Sequence, residues 1–175
     1  MSKSATPLAF TETAHNHAHC IGQALEKAVG LCQQRGVRLT PLRHQVLKLI
    51  WQSHKPLGAY TILKNLHNEQ QRRVAPPTVY RALDFLLAQG LIHRLASLNA
   101  FIGCWHPDAP HIGQFLICEG CGNAAEFDAP LINADMVQHA QQLGFRVEKQ
   151  TIELKGQCAQ CQQQPSIANL ETNEC

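Results

Sequence analysis

Eight of the 175 residues are cysteines, and four of them fall into two C-x-x-C pairs, Cys118/Cys121 and Cys158/Cys161. A C-x-x-C turn can offer two sulfurs to one ion, so two such pairs separated by 36 residues fit a tetrahedral thiolate zinc site. The segments Ile117–Gly122 and Gln157–Cys161 are expected to form the two turns, with Gly120, Gly122 and Gly156 suited to their backbone. Four thiolates leave no coordination position open, so the site is structural rather than catalytic. The alternative is disulfides, but a redox C-x-x-C needs a βαβ setting that is absent around either pair. A zinc deaminase fits poorly, because the H-x-E of His67–Glu69 lies in a basic helical region and neither C-x-x-C follows a proline.

A second donor set is His93, Cys104, His111 and Glu126. Two imidazoles, one thiolate and one carboxylate make a tetrahedral set whose negative charge balances Zn²⁺. The thiolate favours zinc over Fe²⁺ or Mn²⁺, which more often take nitrogen and oxygen ligands. Spacing alone leaves His106, two residues after Cys104, open as the alternative to His111. A third group, His15, His17, His19 and Cys20, reads as part of a flexible arm rather than a further metal site.

Charge is divided unevenly. From Ile21 to Leu95 there are 11 Lys/Arg against 3 Asp/Glu, and from Phe101 to Cys161 only 3 against 7. A basic half followed by an acidic half suggests a nucleic-acid-binding domain joined to a unit of another kind. With 45% hydrophobic and 16% charged residues, the chain is globular rather than disordered. No run approaches the roughly 18 apolar residues of a membrane-spanning helix. The opening MSKSATPLAF lacks the pattern of a secretory signal, so the expectation is a cytoplasmic protein. Cysteines in that compartment favour metal over disulfides. Neither a nucleophile–base pair, nor an open catalytic zinc set, nor a phosphate-binding glycine loop points to an enzyme.

These residues need elements to position them. Residues 1–20 read as a flexible tail, and helical spacing of Ala24, Leu25, Ala28, Leu31 and Cys32 predicts a helix over Ile21–Arg35. Thr40 and Pro41 open a second helix, and a third is expected over Ala59 to about Gln70. Pro76 and Pro77 open a fourth, closed by Gly90, with Val79, Ala82, Leu83, Leu86 and Leu87 as its buried stripe. Leu91–Ile102, with Asn99 between short β-prone runs, reads as a hairpin. The fold class is therefore α+β. A winged helix-turn-helix spans 21–102, a hinge 103–110, a small α/β unit 111–164, and a tail 165–175. In the α/β unit, strands are expected over Gln114–Cys118, Ala124–Asp128 and Arg146–Lys155, with a helix from about Asn133 to Leu143.

The runs RLTPLRHQVLKLI, PPTVYRALDFLLAQGLIHRL and ICEGCGNAAEF resemble the ferric uptake regulator family in order and spacing, over roughly residues 21–162. The resemblance implies a homodimer in which the α/β unit dimerises. In the zinc-sensing branch, the regulatory ion is held by the His of G-[LF]-[IV]-H, matched by His93, and by a Cys closing the hairpin, matched by Cys104. A His shortly after it is matched by His111, and the Glu of C-G-x-x-x-E by Glu126. Iron and peroxide sensors are histidine-rich before the first C-x-x-C, whereas HIGQFLIC carries only His111.

The function implied is a zinc-responsive repressor with two zinc ions per subunit, one structural and one regulatory. Loaded with zinc, it would bind palindromic operator DNA as a dimer and control zinc uptake genes. The alternative within the family is a sensor of iron, manganese, nickel or peroxide. Outside that class, a DNA-binding module with purely structural zinc would ignore metal supply. On the fourth helix, Thr78, Tyr80 and Arg81 lie off the buried stripe. Arg81 is the candidate for bidentate recognition of guanine, and Tyr80 for a thymine methyl or a phosphate. Arg38, Arg43 and Tyr60 are candidate backbone contacts, and Arg72–Arg73 a further one or a solvated helix end.

Overall fold

The computed structural model describes residues 17–53, 55–70, 74–109 and 111–163. Helix α1 spans His17–Gln34, so His17–Cys20 form its first turn instead of ending a tail. The rest of the expected arm and the tail 165–175 lie outside the described residues. At the start of α2 (Pro41–Gln52), Thr40 is extended and its hydroxyl makes no cap bond. The fixed φ and missing N–H of Pro41 therefore set that start. Helix α3 (Ala59–Gln70) follows a two-residue strand, β1 (Leu57–Gly58), which is too short to carry a periodic sequence signal.

Helix α4 (Pro76–Ala88) buries Val79, Ala82, Leu83 and Leu86. They pack with Ala28 and Cys32 of α1, Val46, Leu47 and Ile50 of α2, and Ile62 and Leu66 of α3 in one core. Gly90 (φ +63°) closes α4 in the left-handed region, its N–H bonding to the Leu87 carbonyl and that of Leu91 to the Leu86 carbonyl. Such a closure satisfies end carbonyls and favours glycine. The chain then enters the wing, β2 (Ile92–Leu95) and β3 (Ala100–Gly103), paired antiparallel with His93 opposite Ile102. Asn99 makes the turn at φ 47°, held by the Arg94 guanidinium on its Oδ1 at 2.8 Å. β1 adds to the outer side of β3, giving the order β1-β3-β2.

In the C-terminal unit, β4 (Gly113–Cys118) is central, with β5 (Ala124–Glu126) antiparallel on one side and β6 (Thr151–Gly156) parallel on the other. Helix α5 (Pro130–Gln142) makes the crossover that a parallel pair requires. It starts at Pro130, ahead of the expected Asn133, because proline again suits a first helical turn. β6 begins at Thr151 instead of Arg146. It matches β4 residue for residue from Gly113↔Thr151, where β4 itself begins, to Cys118↔Gly156. The two units meet through a second small core of Leu95 and Ile102 from the wing and Phe115 and Ile117 from β4. Elsewhere on the C-terminal unit Leu131 (85%), Leu143 (86%) and Phe145 (66%) stand exposed.

Candidate metal centres and nucleic-acid face

Parallel strands in register end side by side. Cys118 closes β4 opposite Gly156, so Cys158, two residues beyond, is delivered to the same spot. Cys121 arrives on the turn back into β5, and Cys161 on a short helix, α6 (Ala159–Gln163), which replaces the expected second turn. The four sulfurs all lie within 4.8 Å of one another. Cys121 and Cys158 Sγ are 3.9 Å apart, close to the separation of about 3.8 Å that tetrahedral Zn–S bonds impose. The donor set thus fits zinc. A Cβ on Gly120 would stand 2.9 Å from Cys161 Sγ, so a side chain there would push the sulfur out of place.

Burial opposes charge on the Cys118 thiol, but hydrogen bonds from the Cys121 and Cys158 amides and thiols outweigh it and bring its pKa down to about 6. Burial pushes Cys121 up, and hydrogen bonding with the Cys158 and Cys118 sulfurs pushes Cys161 up to about 12. Hydrogen bonding thus sets the Cys118 thiol apart from those of Cys121 and Cys161, its charged form favoured where theirs is opposed.

The second cluster draws one residue from each of four places: His93 from β2, Cys104 just after β3, His111 just before β4, and Glu126 at the end of β5. Their ligand atoms also lie within 4.8 Å of one another. Around His111 Nε2, His93 Nε2 stands at 3.0 Å, Cys104 Sγ at 3.6 Å and Glu126 Oε1 at 2.7 Å. His93 Nε2 lies 3.1 Å from the same carboxylate oxygen. His111 Nδ1 donates to the Ala109 carbonyl at 3.0 Å, which turns Nε2 inward. The other Glu126 oxygen accepts the Trp105 N–H at 3.2 Å. Outer hydrogen bonds of this kind orient metal ligands. Two nitrogens, a sulfur and a carboxylate oxygen converging on one point fit a four-coordinate zinc ion.

His106 is outside this group; it is exposed, with its ring 6.4 Å from that of His111. Burial, and then the Glu126 carboxylate, raise the Cys104 thiol to about 12. Burial would raise Glu126 as well, yet its hydrogen bond and charge interaction with His93 hold its carboxyl below the ordinary range. Two residues not singled out in the sequence shape this cluster. The Phe115 ring packs edge-on against His93 with centroids 5.2 Å apart. A Cβ on Gly113 would meet that ring at 2.8 Å and His93 Nδ1 at 3.3 Å. The sequence offers no periodic signal for either.

In the N-terminal unit, Thr78, Tyr80 (54%) and Arg81 are exposed along α4, and Tyr60 (80%) at the start of α3. Arg43 is placed differently. Its guanidinium lies 3.6 Å over the Phe85 ring and donates to the Arg38 carbonyl at 2.7 Å, bracing α2 against α4. Arg72 and Arg73 lie outside the described residues.

The sequence profile of the Ferric uptake regulator family matches residues 34–155. The zinc uptake regulation protein of Escherichia coli (strain K12) is 40% identical over 140 residues, covering 79% of this chain and 81% of that one. A solved zinc uptake regulator complexed with zinc and DNA superposes with a TM-score of 0.77 at 39% identity, over 81% of this chain and 94% of its own. A crystal structure of holo XcZur gives 0.74 at 43% identity, over 80% and 97%. The chain belongs to the ferric uptake regulator family, and its similarity falls on that family's zinc uptake regulators.

Proposed function

We propose that this protein is a zinc-responsive transcriptional repressor that binds palindromic operator DNA as a zinc-loaded homodimer and controls zinc uptake genes. The reading rests above all on the second cluster, in which His93 of the wing meets Cys104, His111 and Glu126 from the connector and the C-terminal sheet. The relative solved with zinc and DNA supports it. It is a regulator, not an enzyme, and works in the cytoplasm; no helix among the described residues is long and apolar enough to cross a membrane.

Two zinc ions per subunit are assigned. Cys118, Cys121, Cys158 and Cys161 hold the structural one, fastening the β4–β5 turn to α6. His93, Cys104, His111 and Glu126 hold the regulatory one, with Cys104 selecting zinc over harder ions. Bound there, zinc supplies cross-linking charge between the two units. The donors belong to the wing, the connector 103–110 and the C-terminal sheet, so together they select one angle between the units from a wider ensemble. That angle sets both α4 helices of the dimer into successive major grooves. The exposed Leu131, Leu143 and Phe145 are where the partner subunit would cover apolar surface. On α4, Arg81 reads guanine with Tyr80 and Thr78 beside it, and Tyr60 grips the backbone. Arg43 supports the groove-facing helix through Phe85 and stays close enough to reach a phosphate.

Zinc stoichiometry titrated alongside operator binding tests the whole reading. Operator affinity should rise as the second zinc equivalent per subunit binds. Equal affinity with one and with two ions would leave a DNA-binding protein whose zinc is structural alone.

A further inference from the structure

Glu153 stands in β6 opposite Phe115 of β4, and its carboxylate reaches out of the C-terminal unit to the wing. Oε1 accepts the Ala96 N–H at 2.6 Å and Oε2 the Ser97 N–H at 3.1 Å. These two amides open the single 3-10 turn Ala96–Leu98 between β2 and β3. The first N–H groups of any helical turn lack partners inside it. Leu95, the residue before the turn, provides no side-chain cap, so a carboxylate 56 to 57 residues away in sequence supplies one. Leu95 itself is fully buried against Ile102, Phe115 and Ile117, the small core joining the units. Burial alone would raise the Glu153 carboxyl, but hydrogen bonds from Ser97 and Ala96 outweigh it and hold the group below the usual carboxylate range.

We propose that Glu153 is a positioning residue, a metal-independent latch that holds the wing on the C-terminal sheet in the arrangement where His93 meets Cys104, His111 and Glu126. The latch deepens, and rests on, the regulatory reading of that cluster. Cap and cluster grip the same hairpin from different strands of one sheet: Glu153 through β6, Glu126 through β5. A binding site assembled from two units has an apparent affinity scaled by the fraction of time they are together. Whatever closes the units without metal therefore tightens metal binding, and by reciprocity strengthens the response of DNA binding to metal.

The test uses the full-length protein with Glu153→Ala and with Ala96→Pro. The second removes one of the two hydrogen bonds, that of the Ala96 N–H, from the wing side, and the extended Leu95 (ψ 108°) accommodates a following proline. Zinc affinity is read by competition with a chelator, and amide exchange is followed at Ala96 and Ser97 before the second ion is added. Either substitution should weaken the second zinc ion about threefold to tenfold, the range expected for a partly exposed charged hydrogen bond. Zinc held by the four cysteines should be unaffected, and operator affinity should fall at limiting zinc but recover at saturating zinc. Exchange at Ser97 should quicken in Glu153→Ala, and the double variant should lose no more than Glu153→Ala alone. Unchanged exchange, an unchanged second dissociation constant, or losses that add in the double variant would each overturn the latch. Wild-type protein that took up no second zinc would instead overturn the regulatory reading, while exchange at Ser97 still reports on the latch alone.

Discussion

The Cys158 amide donates to the Cys118 sulfur at 3.3 Å, joining residues 40 positions apart at the shared end of two parallel strands. Removing either sulfur should therefore loosen β4 from β6 as well as release metal. Cys118→Ser and Cys158→Ser should lower the melting temperature by more than about 10 °C, since structural zinc contributes folding free energy directly. They should also lose the dimer whether or not DNA is present. Circular dichroism melts and size-exclusion chromatography measure both, and an unchanged melt with a full dimer would contradict a structural site.

Cys104→Ser should act differently. Its sulfur closes a cluster between units instead of fastening one sheet, so fold and dimer should persist with a melt within a few degrees of wild type. Zinc content should drop from two ions to one per subunit, and zinc-dependent operator binding should disappear. A variant that kept wild-type zinc dependence would remove Cys104 from the regulatory set.

Cys104 also predicts a proton count. Its thiol is held up at about 12, so it carries its proton throughout the neutral range and must release it to become a ligand. Zinc binding at the second site should therefore release about one proton from this residue between about pH 7 and 8. Affinity should weaken about tenfold for each unit the pH falls across that window. Calorimetry in buffers of different ionisation enthalpy reads the proton directly, with Cys104→Ser, which takes up only the first zinc, as the baseline for the four-cysteine site. Identical heats in all buffers would show that no thiol deprotonates.

Arg81→Ala separates base reading from charge. Arg81 is exposed on α4, directly before Ala82 and Leu83, which are buried. A bidentate guanine contact is worth about 1–3 kcal/mol of discrimination, whereas a lost phosphate contact weakens all sequences alike and flattens the salt slope by about one unit. The expected result is weaker operator binding, with affinities for operator and scrambled duplexes brought closer together. A uniform loss on both would mean that Arg81 grips phosphate and that recognition rests with Tyr80 or Thr78.

Much of this protein can be read from short stretches of its sequence. The Pro76–Pro77 start, the stripe of Val79, Ala82, Leu83 and Leu86 and the Gly90 stop define α4, because helix signals act over three or four residues. The two C-x-x-C pairs declare a metal site for the same reason: each half is local. What depends on register is not written locally. Spacing alone left His106 open as the alternative to His111 beside Cys104, and only the family resemblance favoured His111. The structure puts His111 with Cys104 and Glu126, because Ala109 holds its Nδ1 and β4 begins two residues later. Arg43 looks like any exposed basic residue until the packing of α2 on α4 brings Phe85 beneath it. Glu153 shows nothing in sequence of its reach to Ala96 and Ser97, since that contact exists only once β6 has paired with β4 and the wing has closed on the sheet. Backbone preferences and periodicity determine elements, whereas strand pairing between distant segments determines which side chains share a site.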